Sequence, residues 1–325
     1  MIYVVETIIK LVSESYKNFK FQIDIIMAEQ NKIEFLKEKI ESAQAIIVGI
    51  ASGMSAANGE RYYYQDDDDF KKLAGSLRDK YDIHSWFDLY YDPRVTKEEH
   101  WAMLLRHIKH LYEAKAGETY KDLAEILKGK NYYIVTTNQD FQTFKAFPDD
   151  KITRLQGDFR YFQCKHQCHD EIYYNEDIVN HLYPKIESDR LPDQFIPKCP
   201  KCGGDMADWV RSREFLQGKF YEKEFERYMN FLRSNMNKRV LFLELGVGVM
   251  TPMFIKEPFM NMVYQWPNAF YATINPKHAI IPKEIEKKSL AINDDILFVL
   301  KKLLGKPTDD IKRDKGEIFD SGKVY

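Results

Sequence analysis

The chain has 325 residues, with 48 lysines and arginines against 50 aspartates and glutamates, 44% hydrophobic residues and four cysteines. That length supports about two domains and an apolar core that needs no staples, and a net charge of −2 gives no case for nucleic acid as a partner. Four cysteines are too few for a disulfide scaffold, and their bunching between positions 164 and 202 suggests a metal site in a reducing, cytoplasmic compartment.

No apolar run approaches the ~20 residues that span a bilayer, so no membrane association is expected. Residues 1–28 lack a basic start and a small-residue cleavage site, so they do not read as a signal peptide. Two readings stand for them, an extra packing helix and an extension ahead of a domain that begins near Met27. From residue 29 the pattern EQNKIEFLKEKIESA puts Ile33, Leu36 and Ile40 on one helical face. The apolar run Ala45 to Val48 follows at once, and then a glycine-rich loop, so the order is helix, strand, loop.

Two further helices are predicted, one along EEHWAMLLRHIKHLYEA with Trp101, Leu104, Ile108 and Leu111 on a stripe, the other along YKDLAEILKGK, stopped by Gly129. A second strand covers Tyr132 to Val135. After the amphipathic stretch FYEKEFERYMNFLRS comes a third, Val240 to Leu245, and a fourth, Phe270 to Ile274, precedes a last helical pattern from Asp294 to Leu304. Helices alternating with short apolar runs predict an α/β fold around a parallel sheet. Residues 158–211 break the alternation and hold every cysteine, which marks an inserted small module. The sheet domain is thus discontinuous, 29–157 and 212–304, and residues 305–325 have the balanced charge of a solvated or loosely docked tail. The acid run Asp66 to Asp69 reads as a solvated turn or a helix start.

Cys199-Pro-Lys-Cys202 followed by Gly203-Gly204 is a metal knuckle, in which the glycines permit a turn that aims backbone N–H groups at sulfur. Cys164 and Cys168 supply the second pair. Four thiolates make a closed tetrahedral site with no position left for water, so the zinc is structural and metal-assisted hydrolysis is not expected; His166 and His169 are alternate ligands. The loop after the first strand is rich in small residues, Gly49, Ala51, Ser52, Gly53, Ser55 and Gly59 among them. It reads either as a phosphate cradle, with a helix starting near Ser55 and pointing its N–H groups at a pyrophosphate, or as a tight strand-to-helix turn. The second strand runs into Thr136-Thr137-Asn138-Gln139-Asp140, a ligand-facing cluster or a helix cap. The third runs into Gly246 to Pro252. In a parallel sheet these ends share the edge where ligands bind. His84, His100, His107 and His110 read as surface or packing residues, and Tyr62 to Tyr64 as a lid or a packed loop.

These segments together resemble the sirtuin family across residues 29 to 304. Ala51-Ser52-Gly53-Met54-Ser55 is similar to G-A-G-x-S, Thr136 to Asp140 to T-Q-N-I-D, Leu155-Gln156-Gly157-Asp158 to L-H-G-[ST], Gly246 to Pro252 to G-T-S-x-x-V-x-P, and Ile274-Asn275 to the I-N pair. The resemblance implies a Rossmann-type parallel sheet with helices on both faces, an inserted zinc ribbon held by Cys164, Cys168, Cys199 and Cys202, and NAD as co-substrate. It departs at Gln156, where sirtuin deacylases carry a histidine base. It departs again at Gly59 to Tyr64, which replaces G-I-P-D-F-R; no role is carried over there. Gln156 and the run Glu244 to Pro252 look like the macrodomain-linked, class M sirtuins, whose usual G-A-G-A-G-[LM]-S reads here Gly49-Ile50-Ala51-Ser52-Gly53-Met54-Ser55. That subgroup implies a protein mono-ADP-ribosyltransferase acting on a lipoyl-carrier protein and paired with a macrodomain hydrolase. Its catalytic residues would be Asn138, Asp140 and Gln156. Its NAD-binding residues would be Gly49, Ala51, Ser52, Gly53, Ser55, Gly246, Gly248, Thr251 and Asn275. The alternatives are an NAD-dependent protein-lysine deacylase and an NAD hydrolase or sensor.

Overall fold

Six short strands, most of them apolar runs, line up side by side in one parallel sheet. In the computed structural model, which describes residues 29–313, β1 (Ala45–Ile50), β2 (Tyr132–Thr136), β3 (Ile152–Arg154), β7 (Val240–Leu245), β8 (Ala269–Ile274) and β9 (Ser289–Ile292) take the order β3-β2-β1-β7-β8-β9. Counted within this sheet the order is 3-2-1-4-5-6, that of a doubly wound dinucleotide-binding fold, and it places the switch in direction between β1 and β7. Every residue of β1 and β7 is buried because helices cover both faces, which explains why these strands read as apolar runs, broken in β7 only by Glu244, rather than as alternating ones.

Alternation is still present, between two cores. Ile46, Val48 and Ile50 face one cluster with the helix over residues 29–42 (α1), α7 (Glu118–Ile126) and α12 (Ile296–Leu303), while Ala45 and Ile47 face another with α10 (Lys219–Asn235) and α11 (Lys256–Gln265). Ile33, Leu36 and Ile40 of α1 are buried as expected from their spacing. One buried polar group crosses the second core: Glu244 on β7 accepts hydrogen bonds from Lys256 Nζ at 2.5 Å, Tyr271 Oη at 2.7 Å and Thr273 Oγ1 at 2.8 Å.

The loop after β1 leads into α2 (Ser52–Ala57) and then into three short helices, α3 (Asp68–Ala74), α4 (Leu77–Tyr81) and α5 (Trp86–Tyr91), that pack on α6 (Lys97–Glu113). The acid run is a helix start, since Asp67 accepts the Phe70 N–H at 2.8 Å as the N-cap of α3. Helix α6 begins with a capping box of Thr96 and Glu99. Its stripe is wider than Trp101, Leu104, Ile108 and Leu111 alone, because Met103 packs toward the short helices while Leu105 joins the zinc-module side. His107 is a packing residue: it is buried, with Nε2 3.0 Å from Tyr62 Oη and its ring 4.0 Å from that of Trp86.

The second sheet is antiparallel, β5-β4-β6, from β4 (Gly157–Cys164), β5 (Ile172–Tyr174) and β6 (Met206–Val210), with α9 (Glu176–Leu182) beside α6. Arg154 ties the sheets together. It is fully buried at the end of β3 and donates through Nε to Asp158 at 2.9 Å, with Asp149 and Glu224 as further ion partners. Residues 305–313 are docked, Lys306 on Asp122 at 2.7 Å and Arg313 on Asp294 and Glu29. The expectations for residues 1–28 and for the end of the tail lie outside the described residues. Among the described residues no helix is long and apolar enough to cross a membrane.

Candidate active site and metal centre

Two loops meet at the switch point. The Gly53 N–H donates to Gly246 O at 3.1 Å, Ala51 N–H to Leu245 O at 3.1 Å and Gly246 N–H to Ile274 O at 3.0 Å. A Cβ on Gly53 would stand 2.6 Å from the Gly246 Cα, and Gly246 has φ +68, so the loops after β1 and β7 approach backbone to backbone as side chains would not allow. Gly49 lies within β1, and the space beside it is taken by Ile255 and Phe259. Helix α2 begins at Ser52, three residues earlier than expected, after Ala51 in an extended conformation with φ −135. Any residue adopts that backbone, and the Ala51 methyl is buried among the apolar groups on the α11 face, which accounts for alanine standing in place of the glycine in the resembled motif. Ser52 hydrogen-bonds Tyr64.

Below this crossing lies a closed polar network. The amide of Asn138 donates to Ala51 O at 3.0 Å, Ser55 Oγ at 2.8 Å and Tyr120 Oη at 3.1 Å. Tyr120 Oη and Ser55 Oγ are 2.9 Å apart, and Ser55 Oγ donates to Asp140 Oδ2. The other carboxylate oxygen, Asp140 Oδ1, accepts the Gln142 N–H at 3.1 Å. Burial raises the Asp140 carboxyl above its ordinary range, against the lowering effect of the Ser55 and Gln142 donors and of Lys145. Thr136, Thr137 and Asn138 do not cap the next helix, α8 (Gln142–Ala146), whose N-cap is Phe141 in the left-handed region; Asp140 accepts the N–H of its first residue.

A second carboxyl, Glu60, enters the same network. Gln142 Nε2 donates to Glu60 Oε1, and Gln142 Oε1 accepts the Gly117 N–H at 2.8 Å. Burial first, and then the neighbouring Asp140 charge, push the Glu60 carboxyl up to about 8. Neither Glu60 nor Tyr120 was singled out from the sequence. Tyr62 is buried and Tyr63 and Tyr64 pack on Phe87, so this stretch is a packed loop.

Gln156 lies on the strap between β3 and β4. Its carbonyl accepts Gln139 Nε2 at 3.1 Å and the Arg211 N–H at 3.0 Å. The side chain is half-buried, and its amide has no hydrogen-bond partner among the described residues. Arg211 lies against it, its guanidinium over the rings of Phe215, Tyr221 and Phe254 and donating to Leu155 O at 2.9 Å.

On the far side of the switch point, Gly248 faces open space and Thr251 is exposed. Asn275 braces both neighbouring loops, its amide donating to Val247 O at 3.1 Å and its Oδ1 accepting the His278 N–H at 2.9 Å. The structure thus gathers Ala51, Ser52, Gly53, Ser55, Asn138, Asp140 and Gly246 closely. Gln156 approaches from the zinc-module side, and Gly248, Thr251 and Asn275 extend the edge.

In the second sheet, Cys164 and Cys202 Sγ are 3.6 Å apart, as are Cys168 and Cys199 Sγ. Four sulfurs about a zinc at 2.3 Å would be spaced by about 3.8 Å, so the thiols fit a structural zinc. The Lys201 N–H donates to Cys199 Sγ at 3.4 Å. Burial would raise the Cys199 thiol, but the backbone N–H groups of Cys202 and Lys201 bring it down to about 6, a thiol ready to ligate. His169 joins the group, Nδ1 being 3.0 Å from Cys168 Sγ and 3.9 Å from Cys199 Sγ.

No protein-family model matches the chain. A protein ADP-ribosyltransferase of Staphylococcus aureus (strain Mu50) is 31% identical over 306 residues, 92% of this chain and 95% of that protein. A probable bifunctional ADP-ribose hydrolase/ADP-ribosyltransferase of Fusarium oxysporum f. sp. cubense is 27% identical over 246 residues, 72% of this chain but 40% of that longer protein. Among solved structures, a Sir2 homologue in complex with NAD superposes with a TM-score of 0.53 at 17% identity, covering 84% of this chain and 92% of that one. A second Sir2 enzyme superposes with a TM-score of 0.54 at 16% identity, covering 85% and 97%. The solved structures establish the fold, the staphylococcal relative establishes the family, and the chain belongs to the sirtuin-type protein ADP-ribosyltransferases.

Proposed function

We propose that this chain is an NAD-dependent protein mono-ADP-ribosyltransferase whose acceptor is a lipoyl-carrier protein. The observation that carries the reading is Gln156. An amide cannot take a proton, and a general base contributes about 10²- to 10⁴-fold to a reaction that needs one. Deacylation of lysine by the sirtuin route lacks its base here, whereas ADP-ribosyl transfer depends on positioning and on stabilising charge that develops on the ribose.

NAD supplies the ADP-ribosyl group as its nicotinamide glycosidic bond breaks. Asp140, fixed by Ser55 and Gln142, would hold the nicotinamide carboxamide. Asn138 orients the ribose, and the amide of Gln156, without a partner among the described residues, hydrogen-bonds a ribose hydroxyl. Gly246, Gly248, Thr251 and Asn275 serve the phosphates and the adenosine, with the loop from Gly49 to Ser55 beneath them. The residues fit the group: the open space at Gly248 admits a phosphate, and the network at Asp140 offers an acceptor to an amide. We assign this work to residues 29–157 and 212–304, with 158–211 as the zinc module. The name of the fungal relative joins a hydrolase to a transferase, which supports a functional pairing with a separate macrodomain hydrolase here.

Labelled NAD incubated with the protein, a lipoyl-carrier protein and an acetyl-lysine peptide tests the proposal. Label on the carrier with the peptide untouched is expected, and robust deacylation overturns it. Nicotinamide release with no labelled acceptor would make the chain an NAD hydrolase, and tight NAD binding without release a sensor.

A further inference from the structure

Glu60 stands in the loop after α2 with one oxygen accounted for and one not. Its Oε1 accepts Gln142 Nε2 and lies 3.4 Å from the Asn58 amide. Its Oε2 is buried and has no partner among the described residues. A buried carboxylate oxygen without a donor is costly, so the carboxyl is favoured in its neutral form. Burial and the Asp140 charge favour that form, against the Asn58 and Gln142 donors and Lys145. Asp140, after β2, carries like charge; Tyr120 on α7 and Tyr62 beyond the loop are neutral; Lys145 on α8 is the cation that opposes, and it is occupied by Leu111 O and Ala114 O. A neutral carboxyl leaves an O–H at Oε2 that must find an acceptor. Gln142 aligns the two acids, its backbone N–H on Asp140 and its side chain on Glu60. The two acids therefore present one carboxylate acceptor beside one carboxyl donor, the complement of a primary carboxamide, which has an N–H₂ to give and a C=O to receive.

We propose that Glu60 is the second carboxyl of the nicotinamide pocket, donating from Oε2 to the carboxamide oxygen while Asp140 accepts from the carboxamide N–H. This rests on the reading that the pocket receives nicotinamide, and it makes Glu60 a specificity-determining residue for the leaving group. The proton on Glu60 is held below about pH 8, so nicotinamide should bind well below that pH and weakly above it.

Direct calorimetric binding of nicotinamide to the intact protein from pH 6.5 to 9.5, alongside nicotinamide inhibition of NAD cleavage, tests it. Wild type should lose about tenfold in affinity as pH rises through 8, the scale of one hydrogen bond. Glu60→Gln, which keeps an N–H donor and cannot titrate, should be flat with pH. Glu60→Leu should be about tenfold weaker throughout. Affinities within twofold of wild type for Glu60→Leu at all pH values overturn the proposal. If that variant does not fold, a pH slope retained in Glu60→Gln overturns it instead. Glu60-dependent nicotinamide binding in a protein that labels no acceptor would sink the transferase reading and leave this one standing.

Discussion

The pocket under the β1 and β2 ends and the strap at Gln156 are opposite in kind. In the pocket, Asn138, Ser55, Tyr120 and Asp140 hold one another, and each is oriented before any ligand arrives. On the strap the backbone is pinned by Gln139 and Arg211, while the Gln156 amide has no partner among the described residues. The first region is preorganised at the cost of making every member depend on the others. The second has one replaceable group on a placed backbone. Substitutions in the pocket should therefore damage stability and chemistry together, and substitutions on the strap chemistry alone.

Metal removal should break the contrast most severely, and from one side. The strap is placed by the zinc module: β4 starts at Gly157, and the Arg211 N–H that holds Gln156 follows directly on β6. Structural zinc contributes roughly 10 kcal/mol to small modules. Chelation should separate a low-temperature calorimetric transition for the β4-β5-β6 sheet from the main one. It should abolish transfer to the acceptor, reversibly on return of zinc. A single unshifted transition would mean the module stands on its own core.

Within the pocket, Asn138→Ala removes the donor to three acceptors, one of them the buried Ala51 carbonyl. A loss of about 1–3 kcal/mol in unfolding free energy is expected for a buried group left unsatisfied, with about 10²-fold or more lost in nicotinamide release. Denaturant unfolding and single-turnover release on the same preparation check both. Activity lost at unchanged stability would show that Asn138 is not part of the scaffold.

The contrast also bears on what could be read in advance. Strands β1, β7 and β8 were legible because burial on both faces writes them as largely apolar runs, and Asn138 and Asp140 were legible because they follow such a run. Strand β3 was not: it is three residues long and one is Arg154, a charge carried into the core by Asp158 and Glu224. Strand β9 and helices α3 to α5 are too short to establish a period. Helix α11 carries Lys256, Glu257 and Pro258 in its first turn, and its lysine is buried only because Glu244 waits on β7. The pocket's other half failed for a different reason. Tyr120 reaches Ser55 across 65 positions of sequence, and nothing local distinguishes it from the apolar side of an amphipathic helix. Glu60 likewise owes its condition to Asp140 and Gln142, which the fold brings to it.

Gln156 gives the smallest effect and the sharpest use of the comparison. Its side chain makes no hydrogen bond to the described residues, so Gln156→Ala should leave unfolding within about 0.5 kcal/mol of wild type, as for substitutions away from packed features. The contact it would lose is one neutral hydrogen bond to a ribose hydroxyl, about 0.5–1.5 kcal/mol and so tenfold or less in kcat/KM for NAD. Equal losses in kcat and kcat/KM would mean that the amide acts in the transition state, while a raised KM alone would mean that it holds the ground state as well. A fall in stability matching that of Asn138→Ala would erase the distinction between pocket and strap. Unchanged kinetics would remove Gln156 from the transfer reaction, while the missing base would still tell against deacylation.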